Sequence, residues 1–274
     1  MHFTKVHGLG NDFILLDGRK ETLDYNALAV RLCRRQTAIG ADGLLILLES
    51  KTADIRMRIV NADGSEAEMC GNGIRCFAKY AFERGIVNKT EFSVETLAGV
   101  MRPKLTVEDG IVTGVTVDMG EPFLQCEEIP VVGTGTCIDR ELKAGGETLR
   151  YTSVLVGVPH TVIYVDDPTD KKWMNMGWEI EHASVFPKRT NVNFAHVVDD
   201  HTVILRTFER GCGPTLACGT GACGTAVASA LNKKTGRSVD VKIELGTLHI
   251  DWAEDNHVYM TGPAEIVFEG EIKL

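Results

Sequence analysis

The sequence predicts an α+β fold with two homologous lobes related by a pseudo-twofold axis, each lobe a curved, mostly antiparallel sheet around a central helix. Short strand-like hydrophobic patterns, separated by turns, outnumber the helical patterns. A Cys-Gly-x-Gly loop followed by a helical pattern occurs twice, at Cys70–Gly73 and at Cys218–Gly221. The elements around the two loops follow the same order, and such a repeat indicates two copies of one architecture.

The composition is typical of a globular protein that binds neither nucleic acid nor membranes. The 274 residues are 44% hydrophobic and 24% charged, and the net charge of −9 disfavours contact with nucleic acid or an anionic bilayer. The first residues contain no apolar signal region, and the longest Leu/Ile run, Leu44–Leu48, is too short to cross a bilayer. We therefore expect a cytoplasmic protein without a nucleic-acid or membrane partner.

The eight cysteines are too few for a disulfide scaffold in a chain of this length. None has the C-x-x-C spacing of a structural zinc site or a thioredoxin-type motif. We expect reduced thiols, and neither a metal nor a cofactor.

Hydrophobic periodicity predicts the elements of the first half in order. They are strands at 12–16, 43–48 and 55–59, a helix that follows the N-cap Asp24 and runs to Arg35, and a helix from Ile74 to Glu83. The second half repeats this order. It has predicted strands at 161–165, 191–198 and 202–208 and predicted helices at 173–183 and 221–232.

The repeat also pairs polar residues that lie outside the two cysteine loops. An offset of 148 residues places Cys70 on Cys218 and Asn61 on Glu209, and an offset of 149 places Asn11 on His160. We therefore predict that these residues line a cleft between the lobes. The predicted N-terminal lobe spans 1–119 and is completed by the last strand, 264–274. The predicted C-terminal lobe spans 120–263.

Each repeated cysteine lies in a loop that opens a helix. Free backbone N–H groups and the positive end of the helix dipole stabilise an anion there and lower a thiol pKa. Two thiols on opposite sides of one substrate suit the inversion of a stereocentre, because one removes a proton from one face of a carbon and the other delivers a proton to the opposite face. We therefore predict that Cys70 and Cys218 are an acid–base pair.

Such a reaction on an amino acid needs a device that stabilises the carboxylate as the neighbouring carbon loses its proton. Two helix N-termini supply it, with the backbone N–H groups of Gly71, Asn72, Gly219 and Thr220 as donors. Asp63, Glu66 and Glu68 lie close before Cys70, whereas no carboxylate lies between Gly211 and Asn232. Because negative charge disfavours a thiolate, this pattern favours a thiol at Cys70 and a thiolate at Cys218.

Other interpretations of these residues remain open at this point. Residues 219–224 match the G-x-G-x-x-G pattern of dinucleotide-binding loops, but no βαβ pattern surrounds them. His160 is either a structural histidine or a site residue, and its position opposite Asn11 in the repeat favours the second. Glu209 and Arg210 are either an exposed ion pair or cleft residues, and the repeat favours the cleft.

Three long motifs resemble those of the diaminopimelate epimerase family: H-G-L-G-N-D-F at 7–13, N-A-D-G-S-E-x-E-x-C-G-N-G-x-R-C at 61–76, and E-R-G-x-G-P-T-L-A-C-G-T-G at 209–221. The resemblance covers essentially the whole chain. It implies pyridoxal-independent interconversion of LL- and meso-2,6-diaminopimelate for lysine and peptidoglycan synthesis, by a cytoplasmic homodimer. It also implies catalytic roles for Cys70 and Cys218, with His160 and Glu209 tuning the thiols. The residues it implies in substrate binding are Asn11, Asn61, Gly71, Asn72, Asn191, Glu209, Arg210, Gly219 and Thr220.

Two positions depart from the family pattern. Gly43 stands where a glutamine often follows the aspartate, and Val158 stands where an asparagine is common. Two alternatives to the epimerase are a proline or hydroxyproline racemase and a non-catalytic amino-acid-binding protein. The racemase is expected to carry a histidine where this chain has Asn72.

Overall fold

A computed structural model describes residues 1–20 and 23–273. The chain divides into two compact units, Met1–Asp118 with Thr261–Leu274, and Met119–Met260. Leu274, the last residue of the predicted final strand, lies outside the described residues.

The elements of the chain before residue 119 are β1 (His2–Gly8), β2 (Asn11–Asp17), α1 (Tyr25–Leu32), β3 (Gly43–Leu48), β4 (Ile55–Asn61), β5 (Glu66–Ala67), α2 (Gly71–Glu83), β6 (Val94–Thr96), β7 (Gly99–Met101), β8 (Lys104–Glu108) and β9 (Ile111–Asp118). Those of the remaining chain are β10 (Arg140–Ala144), β11 (Glu147–Val156), β12 (Val158–Tyr164), α3 (Lys171–Glu181), β13 (Asn191–Asp199), β14 (Thr202–Glu209), β15 (Gly213–Thr215), α4 (Gly219–Leu231), β16 (Ser238–Ile243), β17 (Gly246–Trp252), β18 (Val258–Gly262) and β19 (Glu265–Glu271).

The sheet of the first unit has the strand order β19-β1-β2-β3-β4-β6-β7, with β5 paired to β4. The pairs β2–β3 and β4–β6 are parallel, and the others are antiparallel. β19 is the last strand of the chain and pairs with β1, so the two ends of the chain meet in one sheet.

The sheet of the second unit follows the same scheme, in the order β10-β11-β12-β13-β14-β16-β17-β18 with β15 paired to β14. Its parallel pairs are β12–β13 and β14–β16, which occupy the same places as the parallel pairs of the first unit. A helix connects the strands of each parallel pair, as parallel strands require a crossover connection.

The two helices that open at the cysteine loops are the most buried helices of their units. In α2 the run from Asn72 to Ala81 is buried. The helix α4 is built from small residues, G-T-G-A-C-G-T-A-V-A-S-A-L, and the stretch from Gly221 to Ser229 is buried. A helix with apolar or small residues on every face belongs in a core, and its N-terminus is then held rigidly by the surrounding strands.

The predicted fold class is confirmed, since the described residues form two sheets and four helices in a mixed α/β arrangement. One local prediction was wrong, because α1 ends at Leu32 instead of Arg35. The first strand, β1, was not predicted. The helix stops early because the loop behind it folds back, with the N–H of Gly40 donating to the Leu32 carbonyl and that of Ala41 to the Cys33 carbonyl.

Among the described residues, no helix combines the length and the apolar character needed to span a bilayer.

Candidate active site

Cys70 is the N-cap residue of α2, and its side chain is held at the start of that helix. The Gly73 N–H donates to the Cys70 sulfur at 3.4 Å, in the way that a cap side chain accepts from the first turn. The sulfur also lies 3.5 Å from Oδ1 of Asn11, to which the thiol donates. No acidic residue stands in the first turn of α2, so its own side chains do not offset the positive end of the helix dipole.

Two amide side chains form a series of hydrogen bonds beside this thiol. Nδ2 of Asn72 donates to Oδ1 of Asn11 at 3.2 Å, and Nδ2 of Asn11 donates to the Asp42 carboxylate at 2.7 Å. Asn72 is buried, and its Oδ1 has no hydrogen-bond partner in the described part of the chain. Sequence reasoning named Asn11 and Asn72 but missed Asp42, whose role depends on the parallel pairing of β2 and β3 that brings residues 12 and 42 together.

Cys218 occupies the equivalent place at the start of α4 in the second unit. The residue is only 6% exposed, and its sulfur lies 3.5 Å from the Thr220 hydroxyl. Gly221 is required here by close packing. A Cβ at residue 221 would lie 2.8 Å from Oδ1 of Asn193 and 3.2 Å from the Cys218 sulfur.

The thiolate predicted at Cys218 is disfavoured in this conformation. Burial raises the pKa of the Cys218 thiol far above its ordinary value, and the negative charge of Glu209 raises that pKa further. Hydrogen bonds from Thr220 and the Gly221 N–H lower it, but they do not offset the burial. The prediction counted carboxylates near Cys218 along the chain, whereas Glu209 reaches the thiol from the end of β14.

Glu209 and Arg210 lie where β14 ends, and Asn191, the first residue of β13, contacts Arg210. The Thr215 hydroxyl donates to Glu209 at 2.5 Å. Asn191 spans two segments, since its Oδ1 accepts from the Arg210 N–H at 2.9 Å and its Nδ2 donates to the Pro159 carbonyl at 2.8 Å. These contacts hold the backbone of Arg210 in place, while its side chain is exposed.

His160 is completely buried on β12. Its Nδ1 lies 3.0 Å from Nδ2 of Asn193, and its Nε2 has no partner in the described residues. Burial, together with the positive charge of Arg210, lowers the pKa of His160 to about 3, so the ring is neutral at physiological pH. Sequence reasoning missed Asn193. The sequence feature that could have identified Asn193 is the alternation of asparagine with apolar residues in the strand Asn191-Val192-Asn193-Phe194.

Asn61, Gly71 and Gly219 complete the predicted set. Gly71 and Gly219 are the first residues of α2 and α4. Asn61 is exposed at the end of β4, where its side chain donates to Ser65 at 2.9 Å. The structure therefore groups Cys70, Asn11 and Asn72 in the first unit, whereas the bond of Asn61 is to its own turn.

The departure at Gly43 has a steric cause in this chain. A Cβ at residue 43 would lie 2.7 Å from the Val60 carbonyl oxygen, which is too close for any side chain without a backbone shift. A glutamine at this position would therefore require the backbone of β4 to move away.

Among the described residues, no group of three or more His, Cys, Asp or Glu side chains has an arrangement that suits a metal ion. In the described structure, no disulfide joins any of the eight cysteines.

Comparison with known proteins confirms the resemblance seen in the motifs. The model of the family described as diaminopimelate epimerase matches residues 3–124 and 152–267. A diaminopimelate epimerase from Moorella thermoacetica is 51% identical over 278 residues, which cover 100% of both chains.

Solved structures of lower identity share the fold. A phenazine biosynthesis protein of the PhzF family from Bacillus anthracis superposes with a TM-score of 0.69 at 18% identity, over 100% of this chain and 99% of the other. A hydroxyproline epimerase from Agrobacterium vitis superposes with a TM-score of 0.68 at 16% identity, over 98% of this chain and 91% of the other.

Proposed function

Because the chain belongs to the diaminopimelate epimerase family of isomerases, we propose that it interconverts LL- and meso-2,6-diaminopimelate without a pyridoxal cofactor, in lysine and peptidoglycan synthesis. The observation that carries the two-thiol mechanism is the equivalence of Cys70 and Cys218. Each is the N-cap residue of a buried 13-residue helix, and each unit contains one such helix. We infer that these units are the two lobes of the repeat.

The proposed reaction moves one proton off and another proton onto the α-carbon. The thiolate of one cysteine takes the α-proton, and the electron pair of the broken C–H bond delocalises into the carboxylate. The thiol of the other cysteine then protonates the opposite face, which inverts the stereocentre and leaves that second cysteine as the thiolate. The two cysteines exchange roles with each turnover, so the pair catalyses the reaction in both directions.

The helix N-termini supply the stabilisation that this carbanion needs. In the proposal, the N–H groups at the starts of α2 and α4 donate to the substrate carboxylate as it gains negative charge. Neither helix has an acidic residue in its first turn to compete for these donors. The exposed Arg210 and the amides of Asn11, Asn61 and Asn191 are proposed to orient the remaining polar groups of the substrate.

Cys218 must lose its proton during this cycle in spite of its raised pKa. In the proposal, two effects of the bound substrate favour the loss of this proton. The ammonium group of the substrate places a positive charge against Glu209, which reduces the influence of that carboxylate on the thiol. The substrate also displaces water, so the fixed dipole of α4 acts on the sulfur at short range with little screening.

The test is α-proton exchange. Wild type in heavy water is expected to incorporate deuterium at the α-carbon of LL-diaminopimelate, as measured by mass spectrometry, whereas Cys70→Ala and Cys218→Ala are expected to lose epimerisation. Cys33→Ala is the matched control, because Cys33 is a buried thiol whose pKa burial raises to about 11. Absence of exchange in the wild type would overturn the epimerase proposal, and full epimerase activity in either variant would overturn the two-thiol mechanism.

The alternatives make different predictions in the same assay. A proline or hydroxyproline racemase exchanges the α-proton of L-proline or trans-4-hydroxy-L-proline, and a binding protein exchanges none. The likeness to the hydroxyproline epimerase concerns the fold, and this chain has Asn72 where that activity predicts a histidine. We expect exchange with diaminopimelate alone.

We also propose that the protein is a cytoplasmic homodimer, as the resemblance implies. Light scattering on the purified protein is expected to give twice the 30.0 kDa chain mass. A mass equal to one chain at assay concentration would contradict the dimer.

A further inference from the structure

We propose that Asn193 is a positioning residue that holds the neutral His160 ring with its proton on Nε2, so that this N–H is presented to an anionic acceptor. The role in turnover rests on the proposed function, whereas the position of the proton does not. Neither the predicted site residues nor the motifs include Asn193.

The contact between the two side chains follows from the pairing of their strands. β12 and β13 are parallel, with His160 opposite Asn191 and Val162 opposite Asn193. Nδ2 of Asn193 lies 3.0 Å from Nδ1 of His160, and both side chains are completely buried. An amide NH₂ group only donates, so the Nδ1 atom that faces it must carry no proton.

Thr207 holds the other end of the amide. It lies directly opposite Asn193 on β14, and its hydroxyl donates to Oδ1 of Asn193 at 2.9 Å. With its oxygen engaged by Thr207, the amide turns its nitrogen towards the histidine. The chain of bonds therefore runs from Thr207 through Asn193 to His160 and leaves the ring proton on Nε2.

The other ring nitrogen, Nε2, then carries an N–H group that donates to no described residue. Nε2 of His160 is buried and has no partner in the described residues, and a buried donor left unpaired is unfavourable. Burial keeps the ring neutral, and the positive charge of Arg210 acts in the same direction. A neutral Nε2–H therefore suits an acceptor that becomes negative during proton transfer, either a thiolate or the substrate carboxylate.

Asn193 also touches the loop of the second thiol. Its Oδ1 lies 2.8 Å from where a Cβ of residue 221 would stand, and that same Cβ would lie 3.2 Å from the Cys218 sulfur. The amide thus packs against the first turn of α4 on one side and the His160 ring on the other, so a change at Asn193 is transmitted to both.

The test reads the tautomer directly. In protein labelled with ¹⁵N-histidine, long-range ¹H–¹⁵N correlation spectra distinguish a bare ring nitrogen from a protonated one, and loss of a signal set in His160→Gln assigns the ring. We expect wild-type His160 to be neutral with a bare Nδ1. His182 and His196 are internal references, because their Nδ1 atoms face carbonyl oxygens at 2.8 Å and 3.3 Å and must be protonated there when neutral.

Asn193→Asp reverses the polarity of the contact, since a carboxylate accepts. We expect Nδ1 of His160 to become protonated in this variant. Thr207→Val is the second variant, with nearly unchanged shape, and is expected to give a mixture of the two tautomers because the amide is free to rotate. Thr225→Val is the matched control, because the Thr225 hydroxyl is buried without a partner in the described residues; it is expected to leave the His160 spectrum unchanged.

A protonated Nδ1 in the wild type would overturn the proposal, as would a His160 spectrum that is the same in wild type, Asn193→Asp and Thr207→Val. The activity readout separates this failure from a failure of the proposed function. We expect Asn193→Asp to lower kcat about 100-fold with little change in KM. If the wild type shows the bare Nδ1 but exchanges no α-proton, the positioning role of Asn193 stands and the epimerase function falls.

Discussion

Asn11 donates a hydrogen bond from its amide nitrogen to the Asp42 carboxylate over 2.7 Å, and this contact decides which end of the Asn11 side chain faces Cys70. A carboxylate accepts and does not donate, so Oδ1 is the atom that lies 3.5 Å from the Cys70 sulfur. An oxygen acceptor stabilises the S–H form of the thiol and disfavours the thiolate. We therefore expect Asp42 to favour the S–H form of Cys70 through Asn11.

We predict that Asp42→Asn lowers the pH at which Cys70 becomes reactive. An amide at residue 42 both donates and accepts, so it no longer forces Oδ1 of Asn11 towards the sulfur. The rate of Cys70 alkylation by iodoacetamide, measured against pH in a Cys218→Ala background, reports this change. Asp63→Asn is the control, because Asp63 precedes the same loop but bonds to Ser65. Equal shifts in the two variants would mean that charge, and not the orientation of Asn11, is responsible.

Glu209→Gln is predicted to lower the pKa of Cys218 by about one pH unit, because it removes the negative charge that raises that pKa. Ultraviolet absorbance of the thiolate during a pH titration, in a Cys70→Ser background, measures the shift. Thr215→Val is the comparison, since it removes the 2.5 Å bond to Glu209 but keeps the charge. The prediction fails if Glu209→Gln leaves the Cys218 titration unchanged.

Gly221→Ala is predicted to destabilise the protein by about 1–3 kcal/mol, the usual effect of overpacking a close contact. The added methyl would lie 2.8 Å from Asn193 and 3.2 Å from the Cys218 sulfur. Urea denaturation measures the free energy of unfolding. Gly236→Ala is the control, because a Cβ there meets only the Asp200 carbonyl, at 3.8 Å. Equal stability of the two variants would contradict the close packing at residue 221.

His160→Gln is predicted to make stability less dependent on pH below neutrality. The folded-state pKa of His160 is lowered to about 3, whereas the unfolded value is near 6.5. The unfolded state therefore binds more protons between these values, so wild type loses stability as pH falls through this window, by about 1.4 kcal/mol per pH unit at most. The free energy of unfolding, measured at pH 6.5 and at pH 5, gives this dependence for each protein. His201→Gln is the control, because it changes an exposed histidine and should keep the pH dependence of wild type. If the free energy of unfolding changes with pH in His160→Gln as it does in wild type, the burial of a neutral ring is contradicted.

Much of the fold followed from local pattern. The strands at 12–16, 43–48 and 55–59 and the helices at the cysteine loops are close to β2, β3, β4, α2 and α4, because periodicity reports directly which face of an element is buried. The strand β1 escaped prediction, and one of its two partners, β19, lies at the far end of the chain. The stop of α1 at Leu32 depends on a loop that folds back onto the helix end.

The two cysteine loops could be found along the chain because glycine spacing and an internal repeat are properties of the sequence. The partners of those loops could not. Asp42 reaches Asn11 and Asn193 reaches His160 only after separate strands lie side by side. Glu209 acts on Cys218 only because the chain between β14 and α4 folds back on itself. The protonation of Cys218 was likewise decided by the folded chain, because a thiol pKa depends on how completely water is excluded and on which charges approach through space.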